Sequence, residues 1–451
     1  MKYKNIILPF LEKQFHLSER ETTIQIEIVA GITTFLAMSF NLGLTPAVLA
    51  DAGMRPEPVF LATALSSMIA CCLMGLLANY PVALSTGISG NVLLAYTICG
   101  SMGFSWQAGV AAVLVSGVIF VVISVTDLRR KFIDAIPQAL KLAIGAGIGF
   151  FIAFLGLKNA GIIIASDSTF VTLGDLSNPT VWLSLLGIGI TIVCVVRKIP
   201  AAVFVGLILT AMIGLVLGCL GFDNMPKLHG VFTLHFDFSG VGAFLFGFDE
   251  LLARPIQALM VIFSLLFIDF FETAGTLVAI GQEVGLINKD GQLENAEQAF
   301  LADSLGTCVG ALLGVSTVTS FVESSTGVGV GGRTGLTALI TGILFFLSIF
   351  ISPLILSLIT SAVTAPALII VGVMMAQQMK TIEWDNLLIA LPAFIIILGM
   401  LTTYSISDGM AFGFITYGVT MIAAEKAKEV QPTIWIILIF FLLYFSFPYW
   451  I

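Results

Sequence analysis

Three acidic residues lie in stretches of the chain that are otherwise apolar. Asp269 and Glu272 interrupt the apolar run 256–280, and Glu323 precedes the glycine-rich segment 327–335. Ionisable side chains at membrane depth are costly and commonly mark substrate or proton pathways. Because burial disfavours the charged form of a carboxyl group, such a group can take up and release a proton. The three acids are therefore candidate proton-coupling residues.

Their neighbours suggest a polar ligand. Asp269 and Glu272 share one helix face, which Thr276 extends, and Glu272 is the leading candidate for binding the N–H groups of a ring. Asp269 either joins proton coupling or orients a neighbouring helix. Glu323 either holds substrate or proton, or caps the helix that follows. Asn91 offers both a donor and an acceptor to a nucleobase edge, with an interhelical hydrogen bond as the alternative.

The composition requires a membrane around these residues. The chain is 58% hydrophobic and 10% charged, whereas soluble proteins have about 25% charged residues. Apolar runs without two-residue alternation predict helices rather than a barrel. We predict an all-α polytopic membrane protein with about 14 spans. The predicted spans are 24–46, 58–78, 83–99, 107–126, 136–157, 179–197, 200–221, 256–281, 296–314, 317–331, 334–352, 361–378, 384–404 and 408–424.

Charge placement predicts the orientation of these spans. With the N-terminus in the cytoplasm, 15 of the 19 Lys and Arg residues fall on the cytoplasmic side and 4 on the other. This asymmetry is what the positive-inside rule demands. We therefore expect a multi-pass protein of the cell membrane. A further apolar segment, 433–450, either spans the membrane or lies along its interface, where Tyr449 and Trp450 would be at home.

An internal repeat relates the two halves of the chain. Segments 60–87 and 300–327 share 9 identities in 28 ungapped positions, at an offset of 240. Seven spans separate the copies, so the second copy is inverted, as in many secondary transporters. The third and tenth spans are short and glycine-interrupted, which predicts paired half-helices with breaks at 85–91 and 325–332. The glycines assigned to these breaks are Gly87, Gly90 and Gly327.

Other classes of function have little support. The six cysteines form no Cys-x-x-Cys pair, and no cluster predicts a metal or cofactor. No basic patch predicts a nucleic-acid partner. The segment 327–334 nearly matches the sequence motif of a phosphate-binding loop, but Arg333 replaces the required Lys. We expect Arg333 to anchor the cytoplasmic end of a span. No enzyme motif is present.

Several motifs together resemble the AzgA-like purine permeases, within the nucleobase–ascorbate (nucleobase/cation symporter-2) superfamily. The resemblance runs from about residue 18 to residue 450. The motifs are Gly31-Ile-Thr-Thr-Phe-Leu-Ala-Met38, Phe271-Glu-Thr-Ala-Gly-Thr276, Val322-Glu-Ser-Ser-Thr-Gly327, Gly331-Gly-Arg-Thr-Gly-Leu-Thr-Ala338, Lys158-Asn-Ala-Gly161 and Ser405-Ile-Ser-Asp-Gly409.

The resemblance implies two inverted seven-span repeats that build a core domain (spans 1–4 and 8–11) and a gate domain (spans 5–7 and 12–14). It implies proton-coupled import of adenine, guanine or hypoxanthine, with the base held by Glu272 and Glu323. Asn91 and Asp269 match functionally important family positions, and relatives suggest a homodimer. The implied ranges are an N-terminal lead 1–23, core 24–126 and 256–352, gate 127–221 and 353–451, and an extracytoplasmic loop 222–255.

The chain departs from the family pattern at two places. The family usually reads Pro-Gly-Met-Gly-Leu-Asn-Ala-Phe-Phe where this chain has Thr86-Gly-Ile-Ser-Gly-Asn-Val-Leu-Leu94, and the usual Asp is Glu272 here. These departures leave the preferred purine open. The alternatives are a transporter of another small heterocycle or of an anion on the same fold, and a purine sensor that does not transport.

Overall fold

The computed structural model describes residues 11–126, 137–228, 230–286 and 293–446. Helices dominate these residues, and four short strands accompany them. In chain order the helices are α1 Ile24–Met38, α2 Phe40–Ala50, α3 Pro56–Leu73, α4 Ile88–Val92, α5 Trp106–Ser124, α6 Gln138–Asn159, α7 Pro179–Val196, α8 Ala202–Cys219, α9 Phe248–Ala253, α10 Pro255–Glu283, α11 Ala296–Leu313, α12 Ser325–Gly329, α13 Gly335–Ser348, α14 Ser352–Leu358, α15 Ser361–Ala376, α16 Leu387–Thr403, α17 Ile406–Ala423 and α18 Pro432–Ser446. The strands are β1 Leu84–Thr86, β2 Ile163–Ser166, β3 Phe170–Leu173 and β4 Val318–Ser320.

Ten helical segments in the described part of the chain are long and apolar enough to cross a membrane. They are α1–α2, α3 with the π turn that follows it, α5, α6, α7, α8, α10, α13–α14, α15 with its terminal 3₁₀ turn, and α17. The other four predicted spans correspond to the strand–helix units 84–101 and 318–329 and to α11 and α16. The prediction of a helical multi-span membrane protein is confirmed.

Local sequence signals set the helix ends. Side-chain oxygens of Thr23, Ser105, Asn178 and Ser405 accept bonds from first-turn N–H groups of α1, α5, α7 and α17. Such caps satisfy donors that have no partner within the helix, which matters most where no water is available. Proline begins α3, α7 and α10, where its missing N–H costs nothing.

The long helices pack in two groups. One group contains α1–α5 with α10–α13, and the other contains α6–α8 with α15–α17. Each group therefore combines helices from both halves of the sequence. The division of the chain into a core and a gate domain stays a prediction.

A polar and aromatic cluster joins the two groups at one end of the molecule. The Tyr96 hydroxyl donates to Asp51 Oδ2 at 2.5 Å and accepts from Asn159 Nδ2 at 3.3 Å. Lys158 Nζ donates to the Tyr404 hydroxyl at 3.0 Å, and the rings of Tyr96 and Tyr404 meet edge to face, with centroids 5.9 Å apart. The motif Lys158-Asn-Ala-Gly161 and the turn before Ser405 therefore meet at one contact between the groups.

Two loops between predicted spans contain secondary structure that was not predicted from the sequence. Strands β2 and β3 pair as an antiparallel hairpin directly after α6, with Ile163 opposite Leu173. The predicted loop 222–255 contains the short helix α9 and a preceding 3₁₀ turn. Both features are too short to be distinguished from a loop by hydrophobic periodicity.

Both ends of the described chain pack on this bundle. In the N-terminal lead, Phe15 and Leu17 are buried against Leu336, and Asn79 Nδ2 donates to the carbonyl oxygen of Phe15 at 3.0 Å. At the other end, Phe441 of α18 lies 5.7 Å from Phe414 of α17, measured between ring centroids. Tyr449 and Trp450 lie outside the described residues, so the role of 433–450 at the membrane stays a prediction.

Helices α6 and α15 approach so closely that their backbones touch through glycine. A Cβ atom on Gly149 would lie 2.6 Å from the carbonyl oxygen of Gly372, and a Cβ on Gly372 would lie 2.4 Å from that of Gly149. We expect Gly149→Ala to lower stability by about 1–3 kcal/mol because the backbones must separate. Gly189→Ala on α7 is the matched control, since nothing lies within 4 Å of its added methyl group. Thermal melting of both variants in detergent checks this, and equal melting temperatures would contradict the close contact.

Candidate functional site

A two-stranded ladder lies where the two halves of the chain meet. Strands β1 and β4 are antiparallel, with Ser85 opposite Thr319 at the centre of the ladder. The pairing continues on both sides, through Gly87 N to the Thr317 carbonyl at 2.8 Å and through Phe321 N to the Ala83 carbonyl at 3.0 Å. A helix starts directly after each strand, so each predicted discontinuous span is a strand followed by a half-helix. The N-terminal ends of these half-helices carry partial positive charge near the candidate acids.

The ladder corrects the predicted alignment of the halves. Helices α3 and α11 are related by the predicted offset of 240, but β1 and β4 begin at Leu84 and Val318, an offset of 234. The connection 74–83 is six residues longer than its counterpart 314–317, and part of it forms a π turn. The breaks therefore lie at 84–87 and 318–321, and the second lies several residues before the predicted 325–332. In this register Glu323 corresponds to Ser89.

Glu272 faces the start of the first half-helix. Its side chain is half-buried on α10, and the Ser89 hydroxyl donates a hydrogen bond to its Oε1 atom. Gly87 allows the close approach of β4, because a Cβ there would lie 2.7 Å from Thr319 Cγ2, whereas Glu272 Oε2 would be at an ordinary contact distance of 3.6 Å. Thr276 is buried on the same helix, one turn further on. The predicted carboxylate is thus placed between α10 and the half-helix.

Glu323 lies at the start of the second half-helix. It is the second residue after the break, in the 3₁₀ turn Val322–Ser324 that leads into α12, and it is half-buried. Its backbone carbonyl accepts from Thr326 Oγ1 at 2.7 Å. Among the residues that the structure describes, none besides Glu323 itself donates a hydrogen bond to the carboxylate of Glu323. The carboxylate is therefore available to a ligand, whereas one oxygen of Glu272 is already paired.

Asn91 lies within the first half-helix, and both ends of its amide are bonded to the protein. Its Nδ2 donates to Thr45 Oγ1 at 2.9 Å, and its Oδ1 accepts from Ser316 Oγ at 2.5 Å. Gly90 allows this packing, because a Cβ there would lie 2.2 Å from Thr317 Oγ1. These contacts are of the kind that the hydrogen-bonding alternative for Asn91 describes, and a contact with substrate stays a prediction.

Strand β1 is held from behind by hydroxyl and amide groups. Asn41 Nδ2 donates to Ser85 Oγ and to the Thr86 carbonyl, both at 2.8 Å. Ser67 Oγ lies 2.8 Å from Ser85 Oγ, and Thr45 Oγ1 lies 2.8 Å from Thr86 Oγ1. Because Asn41 and Thr45 of α2 and Ser67 of α3 belong to one group, they fix the position of the strand, and hence of the half-helix, within that group.

Strand β4 is held by two buried acids. Asp303 Oδ1 accepts from Thr273 Oγ1 at 2.7 Å and from Ser320 Oγ at 2.8 Å. Asp269 Oδ2 accepts from Thr307 Oγ1 at 2.7 Å, and that hydroxyl also contacts the backbone of β4. Both acids are at most 1% exposed. Asp269 is therefore linked through Thr307 of α11 to β4, and both its orienting role and its role in proton coupling stay predictions.

The glycine-rich segment after Glu323 packs against α1. Gly327 lies inside the short helix α12 rather than at the break, and a Cβ there would lie 2.1 Å from Thr34 Oγ1. Arg333 Nη1 donates to the carbonyl oxygens of Val328 and Gly332 at 2.7 and 2.8 Å. The backbone N–H of Arg333 donates to the buried carboxylate of Glu27 at 2.9 Å. Arg333 thus binds the end of its own loop and does not supply a cation to Glu272.

Sequence and structure comparisons agree with this architecture. The Xan_ur_permease model, described as a permease family, matches residues 25–443. The chain belongs to this family. It is 44% identical to the guanine/hypoxanthine permease PbuG of Bacillus subtilis over 447 residues, which cover 96% of this chain and 99% of PbuG. It is 37% identical to the adenine permease AdeQ of Escherichia coli, with 93% of each chain covered. The predicted family resemblance and the prediction of a transporter rather than an enzyme are confirmed.

Solved structures show the same fold for this permease at low sequence identity. The transmembrane domain of the cyanobacterial bicarbonate transporter BicA superposes with a TM-score of 0.62 at 17% identity, covering 89% of this chain and 97% of that one. The structure of SLC26A9 gives a TM-score of 0.64 at 11% identity, covering 94% and 70% of the two chains. These similarities concern the fold alone.

Three polar residues of the candidate site were not predicted. Asp303 is an acid within an apolar helix, and that signal could have identified it from the sequence. Asn41 and Ser89 gave no comparable signal, because neutral polar residues are common in membrane helices. Their roles depend on which strand or helix lies opposite, and that information is absent from a single span.

Proposed function

We propose that this permease imports purine nucleobases together with protons, by alternating access across the cell membrane. The candidate substrates are guanine, hypoxanthine and adenine. The observation that carries the proposal is the placement of Glu272 and Glu323 beside the starts of two half-helices that come from opposite halves of the chain. The names of PbuG and AdeQ support the same substrate class.

The two carboxylates suit a base better than an anion. Carboxylate oxygens accept hydrogen bonds from ring N–H and exocyclic amino groups, and a purine offers several of these. An anion would be repelled by the same oxygens, and Arg333, the cation that follows the second half-helix, is committed to backbone carbonyls. The fold shared with a bicarbonate transporter therefore does not favour an anion as the cargo.

Alternating access is supported by the packing. One group of helices carries the ladder and both acids, while the other contacts it through limited surfaces such as the Tyr96–Tyr404 cluster. A group that holds a site rigidly can move past its neighbour and expose the site to each side in turn. We place the N-terminus in the cytoplasm on the basis of the positive-inside count.

The decisive experiment is uptake of labelled adenine, guanine, hypoxanthine and uracil into proteoliposomes, with and without an inward proton gradient. Gradient-stimulated uptake of one or more purines, abolished by a protonophore, is the expected result. Protein-free liposomes are the control. Purine binding without flux would indicate a sensor, and bicarbonate or chloride flux without purine uptake would indicate an anion transporter. Either result would overturn the proposal.

A further inference from the structure

The two oxygens of Glu272 have different surroundings. Oε1 accepts from the hydroxyl of Ser89, which is 1% exposed and fixed in the first turn of the half-helix. Oε2 lies on the side of Gly87, 3.6 Å from the place of an added Cβ atom, which would itself clash with Thr319 Cγ2 at 2.7 Å. Oε1 of Glu272 therefore already accepts one hydrogen bond from the protein, whereas Oε2 accepts none from the residues that the structure describes.

We propose that Ser89 is a specificity-determining residue, because its hydroxyl competes with a purine donor for Oε1 of Glu272. The inference rests on the proposed function and specifies its substrate. Hypoxanthine presents one N–H at N1, whereas guanine presents the N1 N–H and the adjacent 2-amino group. A free carboxylate pairs with two parallel donors. Because Ser89 already donates to Oε1, the second guanine donor must share that oxygen, its pairing is weakened, and the site favours hypoxanthine over guanine.

The other polar residues of the site do not donate a hydrogen bond to Glu272 as Ser89 does. Asn91 is bonded on both sides to Thr45 and Ser316, so it cannot turn toward Glu272 without breaking those bonds. Glu323, which occupies the matching register position after β4, supplies an acceptor and no donor. Ser89 is thus the described side chain that both touches Glu272 and carries a hydroxyl to donate.

The test compares guanine and hypoxanthine uptake by the full-length protein in proteoliposomes, with KM measured for each base. In Ser89→Ala both oxygens of Glu272 become available. We expect the ratio of the guanine KM to the hypoxanthine KM to fall about tenfold, the equivalent of one hydrogen bond to a charged group. Ser89→Thr keeps the hydroxyl and is expected to keep the ratio within about twofold of wild type. If Ser89→Ala does not reach the membrane, Ser89→Gly, which also lacks the hydroxyl, is measured in its place.

The outcomes separate this inference from the proposed function. A fall in the ratio for Ser89→Ala, with Ser89→Thr close to wild type, supports it. An unchanged ratio, a shift toward hypoxanthine, or the same shift in Ser89→Thr overturns it while purine transport stands. Wild-type protein that neither binds nor transports any purine overturns the proposed function first, and the assignment of Ser89 with it.

Discussion

Replacing Glu272 with Gln is expected to abolish gradient-driven purine uptake, with a fall of about 100-fold. Gln has the shape of Glu, and its amide oxygen can still accept from Ser89, so the local packing is retained. It cannot ionise, however, and it loses a charge-assisted bond to the base worth roughly 3 kcal/mol. The measurement is initial uptake of labelled hypoxanthine under an inward proton gradient. Glu383→Gln, which changes an exposed acid before α16, is the matched control.

A second assay divides the roles of Glu272. Exchange of labelled for unlabelled base, with no gradient, requires binding and movement of the site but no net proton transfer. If Glu272→Gln retains exchange and loses only the stimulation by the gradient, Glu272 carries the proton. If it loses both, Glu272 also holds the base. Full gradient-driven uptake by this variant would remove Glu272 from the mechanism.

The features that could be predicted from the sequence are those with a local signal. Apolar length predicted the spans, and glycine interruption predicted two discontinuous ones, because the bilayer imposes both helix length and internal hydrogen bonding. Charge in an apolar run identified Asp269 and Glu272. Both are placed on α10, three residues apart, and the strand–helix units lie at the predicted third and tenth spans.

The features that could not be predicted depend on how the two halves meet. An ungapped comparison aligned Ser85 with Ser325, whereas the ladder pairs Ser85 with Thr319, because six extra residues precede β1. Asn91 has the chemistry of a ligand residue, but its neighbours Thr45 and Ser316 come from distant segments and bond both ends of its amide. A single sequence gives residue type and span. It does not give the partner across the ladder.

Asp303 is the residue whose loss should disturb the site most without touching the ligand. Its Oδ1 accepts from hydroxyls of both α10 and β4, so it ties the helix that carries Glu272 to the strand that leads to Glu323. In Asp303→Ala the buried hydroxyls of Thr273 and Ser320 lose their acceptor, at a cost of about 1–3 kcal/mol each. We expect a lower melting temperature and a loss of uptake of about 100-fold, since the two acids are no longer held in register.

Asp303→Asn separates this positioning role from proton transfer. The amide keeps an acceptor oxygen at the position of Oδ1, so both hydroxyls remain satisfied, but the side chain can no longer titrate. If Asp303 only positions α10 and β4, the Asn variant should melt near the wild-type temperature and keep uptake within about threefold, with any loss in KM. A stable Asn variant that binds purine and fails to respond to the proton gradient would instead place Asp303 on the proton pathway beside Glu272. Unchanged melting and uptake in the Ala variant would show that the ladder does not depend on this acid, and that the hydroxyls of Thr273 and Thr319, 3.0 Å apart, hold it without Asp303.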